Sequence, residues 1–445
     1  MLSKFFKFDE KNTDIKTEIV AGMTTFLAMA YILGVNPTIL SATGMPMNAV
    51  FIATALSSGI ACIVMGLVSN YPIGLSAGMG LNALFTYTIV LDMGLSWQAA
   101  LAAVFLSSVI FLIITIAGLR EVILNVINDN LKQAIGCGIG FFLAFLGLAN
   151  AGIIVSDPST IVALGNLTSP HVLLAIIGIV ITLIFYLQKV PASVFWGLVA
   201  TAILGVIFTA IGFTDPTVAM PTIPRHWISF HLDFSLFGGF LQGFGELFQN
   251  IPSLIMILFS LLFVTFFDTT GTLIPLAKEC GYVREDGTTE GINRALLSDA
   301  IGGIIGAIFG SSTVTAYVES ATGIGLGGRT GLTAVTIGIL FILSIFISPT
   351  ILSLFTASVT TAALVIVGIL MFNQIRDIKW SSNRIVASVF VTIIMMLLTY
   401  SISLGIAFGY ITYHIGTIAI GRIRELSFVE WVLFIVFGVY LVFRL

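Results

Sequence analysis

Long apolar runs alternate with short polar punctuation along this chain, and the runs have the length of a bilayer. A membrane-spanning helix needs about 20 mostly apolar residues. On that scale the pattern predicts spans near residues 17–40, 47–69, 73–92, 96–118, 131–150, 171–188 and 191–212. A polar stretch holding Pro216, Pro221 and Pro224 follows, and then spans near 253–276, 291–309, 312–327, 330–349, 357–373, 384–400 and 403–420. A last apolar segment, 427–444, comes after Arg422 and Arg424 and is expected to lie in the interface or to re-enter. The pattern predicts an all-α polytopic membrane protein of fourteen spans.

The basic residues test that count, because Lys and Arg concentrate in cytoplasmic loops. With the N-terminus inside, sixteen of the 18 fall on the cytoplasmic side, Arg225 falls outside and Arg444 sits at the extreme end. A wrong count would scatter them over both sides, so both termini are expected in the cytoplasm. Seven spans per half is an odd number, and it forces the halves to be inverted relative to each other. The expected divisions are a first repeat over 1–212, an interfacial or extracytoplasmic connector over 213–252, a second repeat over 253–420 and an interfacial C-terminal segment over 421–445. Within the connector, Phe234, Phe237, Phe240 and Leu241 fall at helical spacing, which predicts an interfacial amphipathic element.

Two of the spans are polar and small where the others are apolar. The third opens with Ser76-Ala77-Gly78-Met79-Gly80-Leu81-Asn82, and the tenth runs Ser311-Ser312-Thr313-Val314-Thr315-Ala316-Tyr317-Val318-Glu319. Unwound backbone and an ionisable side chain are tolerated at membrane depth only where protein buries them or a cavity receives them. Short extended segments are expected to interrupt both spans, each followed by a half-helix whose positive end faces inward. Interrupted segments at corresponding positions of two halves point to a transport site at the bilayer midplane.

Composition narrows the function classes. Residues are 58% hydrophobic and 9% charged, against about 25% charged in soluble domains. The net charge of −3 comes with no basic stripe, so nucleic acid is not an expected partner. Cys62, Cys137 and Cys280 are scattered without metal spacing, and His171, His226, His231 and His414 form no cluster, so no metal or cofactor is expected. The N-terminus lacks the pattern of a signal peptide. With no nucleophile–base pair or metal ligands at membrane depth, an enzyme is not expected.

The ionisable residues that stand out within spans are Asp268, in the eighth, and Glu319, in the tenth. A carboxylate at bilayer depth is costly unless neutralised or paired, and two at a site of broken helices suit a proton-coupled carrier. Protonated, each can donate to a substrate; ionised, each accepts from an N–H. Asp268 could instead cap an internal kink beside Thr269 and Gly271. Asn82 offers donor and acceptor just inside the opposing half-helix, or serves as its cap. Asp92 and Glu246 read as solvated span ends. Gly323-x-Gly325-x-x-Gly328 matches a dinucleotide fingerprint by accident, since no βαβ unit surrounds it.

These stretches carry a resemblance. Ala21-Gly22-Met23-Thr24-Thr25-Phe26-Leu27-Ala28-Met29-Ala30-Tyr31 with Val35-Asn36-Pro37, then Gly78-Met79-Gly80-Leu81-Asn82-Ala83, are similar to the AzgA-like purine nucleobase permeases. So are Phe267-Asp268-Thr269-Thr270-Gly271-Thr272-Leu273 and Tyr317-Val318-Glu319-Ser320 with Gly327-Gly328-Arg329-Thr330-Gly331. That branch carries hypoxanthine, guanine or adenine and belongs with the xanthine and uracil permeases. The resemblance implies two inverted seven-span repeats and paired short strands in spans 3 and 10. It implies a substrate-carrying core of spans 1–4 and 8–11 (about 17–118 and 253–349), which slides against a gate of spans 5–7 and 12–14 (about 131–212 and 357–420). The gate is usually the dimerising part.

On this resemblance the chain is expected to be a proton-coupled purine importer of the plasma membrane. Glu319 would be the chief base ligand and Asp268 the proton-linked acid, with Glu319 sharing in coupling. Asn82, Thr265, Ser312, Thr313, Gly78 and Gly80 would supply further hydrogen bonds. Phe26, Tyr31, Phe267 and Tyr317 are candidates to stack on a planar base. One departure stands out: relatives commonly carry a second acid three residues before the Asp268 position, where this chain has Thr265. Membrane lipid and a second copy are the expected partners. The competing expectation is an anion carrier on the same inverted architecture, against which two buried acids without a buried Arg or Lys argue.

Overall fold

The computed structural model describes residues 2–118, 128–216, 218–283 and 289–443. Arg120, Arg284 and Arg444, placed above by the charge pattern, lie outside the described residues, as does the side chain of Phe267.

Eleven helices among the described residues are long and apolar enough to cross a membrane, beginning with Ile15–Ser41 and ending with Ile402–Ala419. Asn383–Leu398 and Phe428–Val439 are shorter apolar helices. The third and tenth apolar runs of the sequence are each divided into a strand and short helical pieces.

In the first half the chain forms α1 (Ile15–Met29), α2 (Ile32–Ser41), α3 (Met47–Val64), β1 (Leu75–Ala77), α4 (Met79–Ala83), α5 (Trp97–Ile116), α6 (Asp129–Asn150), β2 (Ile154–Asp157), β3 (Ile161–Leu164), α7 (Pro170–Leu187) and α8 (Ser193–Ala210). The second half forms α9 (Phe240–Leu247), α10 (Ile251–Glu279), α11 (Ile292–Phe309), β4 (Val314–Ala316), α12 (Ala321–Gly325), α13 (Gly331–Ser344), α14 (Ser348–Leu354), α15 (Ala357–Phe372), α16 (Asn383–Leu398), α17 (Ile402–Ala419) and α18 (Phe428–Phe443).

The breaks follow from residue chemistry. Gly310, at φ +91°, ends α11 in a left-handed turn that an L side chain rarely adopts. The hydroxyl-rich and β-branched residues after it then run extended rather than helical. Their backbone finds its partner in the other half: β1 pairs antiparallel with β4, Leu75 opposite Ala316, Ser76 opposite Thr315 and Ala77 opposite Val314. Gly78 N donates to Thr313 O at 2.9 Å and Tyr317 N to Gly74 O at 3.0 Å, which extends the ladder at both ends. Every extended backbone group that pairs this way is spared exposure to hydrocarbon.

Helices α1–α5 pack with α10, α11 and α13, while α6, α7 and α8 pack with α15, α16 and α17. Between α3 and α13 the approach is close enough to demand glycine. A Cβ at Gly331 would stand 2.0 Å from Gly66 O, and one at Gly338 would stand 2.5 Å from Gly59 O. At the foot of that pair lies Glu18, fully buried. Its Oε1 accepts from Thr13 Oγ1 at 2.9 Å and Arg329 N at 2.8 Å. Its Oε2 accepts from Thr330 N at 3.2 Å, Thr333 N at 3.3 Å and Thr333 Oγ1 at 2.6 Å. One carboxylate of α1 thereby supplies the acceptors that the N-terminus of α13 lacks within its own helix.

The connector is laid across helix ends, Ser229 N donating to Phe346 O at 2.9 Å and Gly238 N to Ile308 O at 2.8 Å. Its helical part, α9, packs on α5, with Phe240 stacked on Phe105 at 4.4 Å. Glu246 is no solvated end: it accepts from the backbone N–H of Ser96 at 2.9 Å and from the Ser96 hydroxyl. The β2–β3 hairpin occupies a stretch that the apolar pattern leaves unassigned. Helix α18 runs against α17, with Phe437 5.1 Å from both Tyr410 and Phe259.

Candidate functional site

Where the two strands meet, a cavity of about 340 Å³ opens, within the range of small-molecule sites, about 300–1,000 Å³. One wall comes from the broken spans and α10. Gly78, Met79 and Gly80 bring the start of α4 to it, Tyr317, Val318 and Glu319 the end of the β4 segment, and Asp268 and Gly271 the face of α10. The first residues of a helix have N–H groups without intrahelical acceptors, and the α4 start lies on the cavity.

The Glu319 carboxylate is held from outside its own segment. Tyr31, at the joint between α1 and α2, donates its hydroxyl to Glu319 Oε1 at 2.5 Å. Tyr317 is held in turn, donating to Ala77 O at 2.5 Å, and the two tyrosine rings lie 6.5 Å apart. One carboxylate oxygen of Glu319 is thus engaged by Tyr31, and the residue lines the cavity. Asp268 sits close to the strand end: a Cβ at Gly78 would lie 3.5 Å from its Oδ2. Its helix runs from Ile251 to Glu279 with Pro275 inside it. No protein hydrogen bond reaches its carboxylate among the described residues.

Behind this wall lies a buried layer of polar side chains. Asn82 is fully buried and its Oδ1 accepts from the Ser312 hydroxyl, while its Nδ2 has no partner among the described residues. Asn36 Nδ2 donates to Thr54 Oγ1 at 2.7 Å and to Ser311 Oγ at 3.2 Å, and Ser58 and Ser76 share a hydroxyl bond of 2.7 Å. Asp299, buried on α11, accepts from Ala316 N at 2.8 Å, Thr315 Oγ1 at 3.1 Å and Thr269 Oγ1 at 2.6 Å. These bonds tie β4 to α10 and α11 and hold the wall in place.

Of the residues singled out in the sequence, Asp268, Glu319, Gly78 and Gly80 line this one cavity. Asn82, Ser312 and Thr313 lie in the supporting layer, Thr313 through the carbonyl that receives Gly78 N–H. Thr265 is buried on α10 and is not part of the lining. Phe26 is elsewhere. Its ring packs edge-on against Phe341 at 5.1 Å and lines an apolar crevice of about 540 Å³ between α1, α2 and α8. The α1 pattern of apolar residues does not say which face turns inward, and the face bearing Phe26 turns to that crevice. Tyr31 and Tyr317 do line the cavity.

Three lining or supporting polar residues escape the sequence pattern. Asp299 lies inside an apolar run and was legible as a buried acid by position alone. Asn373 and Gln374 complete the opposite wall together with Val367, Leu370 and Met371 of α15. They follow an apolar run directly, where polar residues ordinarily mark its end at the membrane surface.

Residues 16–408 match the Xan_ur_permease family model, described as "Permease family". The chain is 43% identical to the guanine/hypoxanthine permease PbuG of Bacillus subtilis (strain 168), over 99% of this chain and 100% of that protein. It is 39% identical to the adenine permease AdeP of Escherichia coli (strain K12), over 96% of this chain and 93% of that one. Among solved structures it resembles the transmembrane domain of the cyanobacterial bicarbonate transporter BicA, with a TM-score of 0.65 and 15% identity, over 88% of this chain and 97% of that one. That last likeness is one of fold. With its many apolar helices, two strands paired at depth and a family match over most of its length, the chain belongs to the permease family and is a multi-pass membrane transporter, not an enzyme.

Proposed function

We propose that this permease imports purine nucleobases across the plasma membrane together with protons. The observation that carries the proposal is the pair of carboxylates, Glu319 and Asp268, on one cavity beside the start of α4. A purine offers ring and amino N–H groups for a carboxylate to accept, and ring nitrogens or a keto oxygen for backbone N–H groups to meet. Glu319, steadied by Tyr31, is the chief base ligand, and Tyr317 and Tyr31 offer ring faces to the planar base. Asp268, whose carboxylate has no protein hydrogen bond among the described residues, is the acid whose proton is linked to transport. The names of the relatives, guanine, hypoxanthine and adenine permeases, supply the substrate class.

In this proposal the chain crosses the membrane fourteen times, as two inverted repeats joined by the 213–252 connector, with both termini in the cytoplasm. The group built on α1–α5, α10, α11 and α13 carries the base and slides against the group of α6–α8 and α15–α17, through which two copies pair. An anion carrier on the same fold would need a cationic lining, and the charged side chains on the cavity are acids.

Uptake by proteoliposomes tests the proposal. Labelled hypoxanthine should accumulate when the outside is made acidic, and unlabelled guanine or adenine should compete while bicarbonate should not. Accumulation that ignores the pH gradient would remove proton coupling. Competition by bicarbonate alone would favour the anion carrier.

A further inference from the structure

The wall facing Glu319 and Asp268 carries two side-chain amides, Asn373 and Gln374, in the turn after α15. Asn373 is exposed and Gln374 is half-buried. The Gln374 amide lies against α6 at a point where the helix has no side chain. A Cβ at Gly136 would stand 1.9 Å from Gln374 Oε1, 2.6 Å from its Cδ and 2.9 Å from its Nε2. All three amide atoms fall inside collision distance of that Cβ, so the glycine opens the space in which the amide rests. No protein hydrogen bond reaches the amide among the described residues. It is a seated and unpaired polar group on a cavity wall.

We infer that, given a purine substrate, Gln374 reads the edge of the base that the carboxylates leave free, and that Gly136 is the seat that allows it to do so. Carboxylates accept hydrogen bonds, so the N9–H edge, a donor common to these bases, belongs on the Glu319 side. The edge turned to the opposite wall then presents the substituent at C6, a keto acceptor in hypoxanthine and guanine and an amino donor in adenine. An amide has one donor end and one acceptor end, and by turning over it serves either. The site therefore takes both kinds of purine and binds the parent base, which has no C6 substituent, less well. Gln374 and Gly136 belong to the helix group opposite the one that holds the acids. The base meets all three groups only while the two walls stand as they do here.

Binding of hypoxanthine, adenine and unsubstituted purine to purified wild type, Gln374→Met and Gly136→Ala tests this. Wild type should hold hypoxanthine and adenine about five- to tenfold more tightly than purine, the value of one neutral hydrogen bond. Gln374→Met keeps the length and loses both polar ends. It should bring all three bases to within about twofold by weakening the substituted ones and leaving purine unchanged. Gly136→Ala should do the same by displacing the amide, and should add nothing in a Gln374→Met background. A hypoxanthine-to-purine ratio in Gln374→Met equal to that of wild type would overturn the inference, whatever Gly136→Ala does to folding. Wild type that binds none of the three bases would overturn the purine assignment itself, which is a different result.

Discussion

Replacing Glu18 with Gln removes a single charge and should cost more than its position at the start of a helix suggests. The carboxylate accepts five hydrogen bonds, three of them from the backbone N–H groups of Arg329, Thr330 and Thr333. Gln has one acceptor oxygen, and its NH₂ must occupy one of the two positions now held by Oε1 and Oε2. In the better orientation the oxygen keeps the Oε2 position, with Thr330 and Thr333, and the NH₂ confronts the Arg329 N–H. The Thr13 hydroxyl can rotate and accept, but a backbone N–H cannot. One buried donor left unpaired costs about 1–3 kcal/mol. Losing the negative charge at a helix N-terminus adds about 0.3–1 kcal/mol. The expected loss is therefore about 1–4 kcal/mol, and Glu18→Ala, which abandons every donor, should lose more. Thermal unfolding of the detergent-purified protein provides the assay, with Thr24→Ala on the exposed face of α1 as control, expected within about 0.5 kcal/mol of wild type. A midpoint for Glu18→Gln equal to that of Thr24→Ala would show that these donors find water or another acceptor.

Other outcomes follow from the same geometry. Glu319→Gln should weaken purine binding at least about tenfold, because charge-assisted bonds of about 1.5–3 kcal/mol become neutral ones; calorimetry on the purified variant checks it, and wild-type affinity would remove Glu319 from the site. Asp268→Asn should still bind and exchange base across a proteoliposome membrane while losing accumulation driven by a pH gradient, and gradient-driven uptake at the wild-type level would end its coupling role. Gly331→Ala places a Cβ 2.0 Å from the Gly66 carbonyl oxygen, an immovable backbone atom, so it should unfold at markedly lower temperature than wild type; a wild-type midpoint would mean that α3 and α13 separate easily. Thr265→Asp should change the ranking of purines only if its carboxylate reaches the cavity, and identical competition profiles would leave Thr265 outside the lining.

Much of the fold was legible because a bilayer imposes one length on every crossing. Eleven of the fourteen apolar runs of the sequence coincide with long helices, and the two polar runs, Ser76–Asn82 and Ser311–Glu319, coincide with the strands β1 and β4 that pair across the halves. The site was legible in part. Asp268 and Glu319 stand out because acids are scarce at depth, and Gly78 and Gly80 because they follow a break. Sequence periodicity does not carry a side chain's direction when a helix is apolar all round, which is how Phe26 comes to line the apolar crevice and not the cavity of Glu319. Gln374 was hidden for another reason. Its importance comes from a glycine more than 200 residues earlier, and only the packing of α15 on α6 brings the two together.

The pairing of β1 with β4 has a consequence for the order of events during synthesis. Each strand is three residues long and has no partner in its own half. Until Ala316 has left the ribosome, the backbone of Leu75–Ala77 has no ladder to join, and Asn82 waits beside it with Ser312 unmade. The first half must therefore wait with a polar gap in its third apolar run, closed only when the second half arrives. Formation of the transport cavity is by construction a late step, and a chain that stops before β4 has helices but no site.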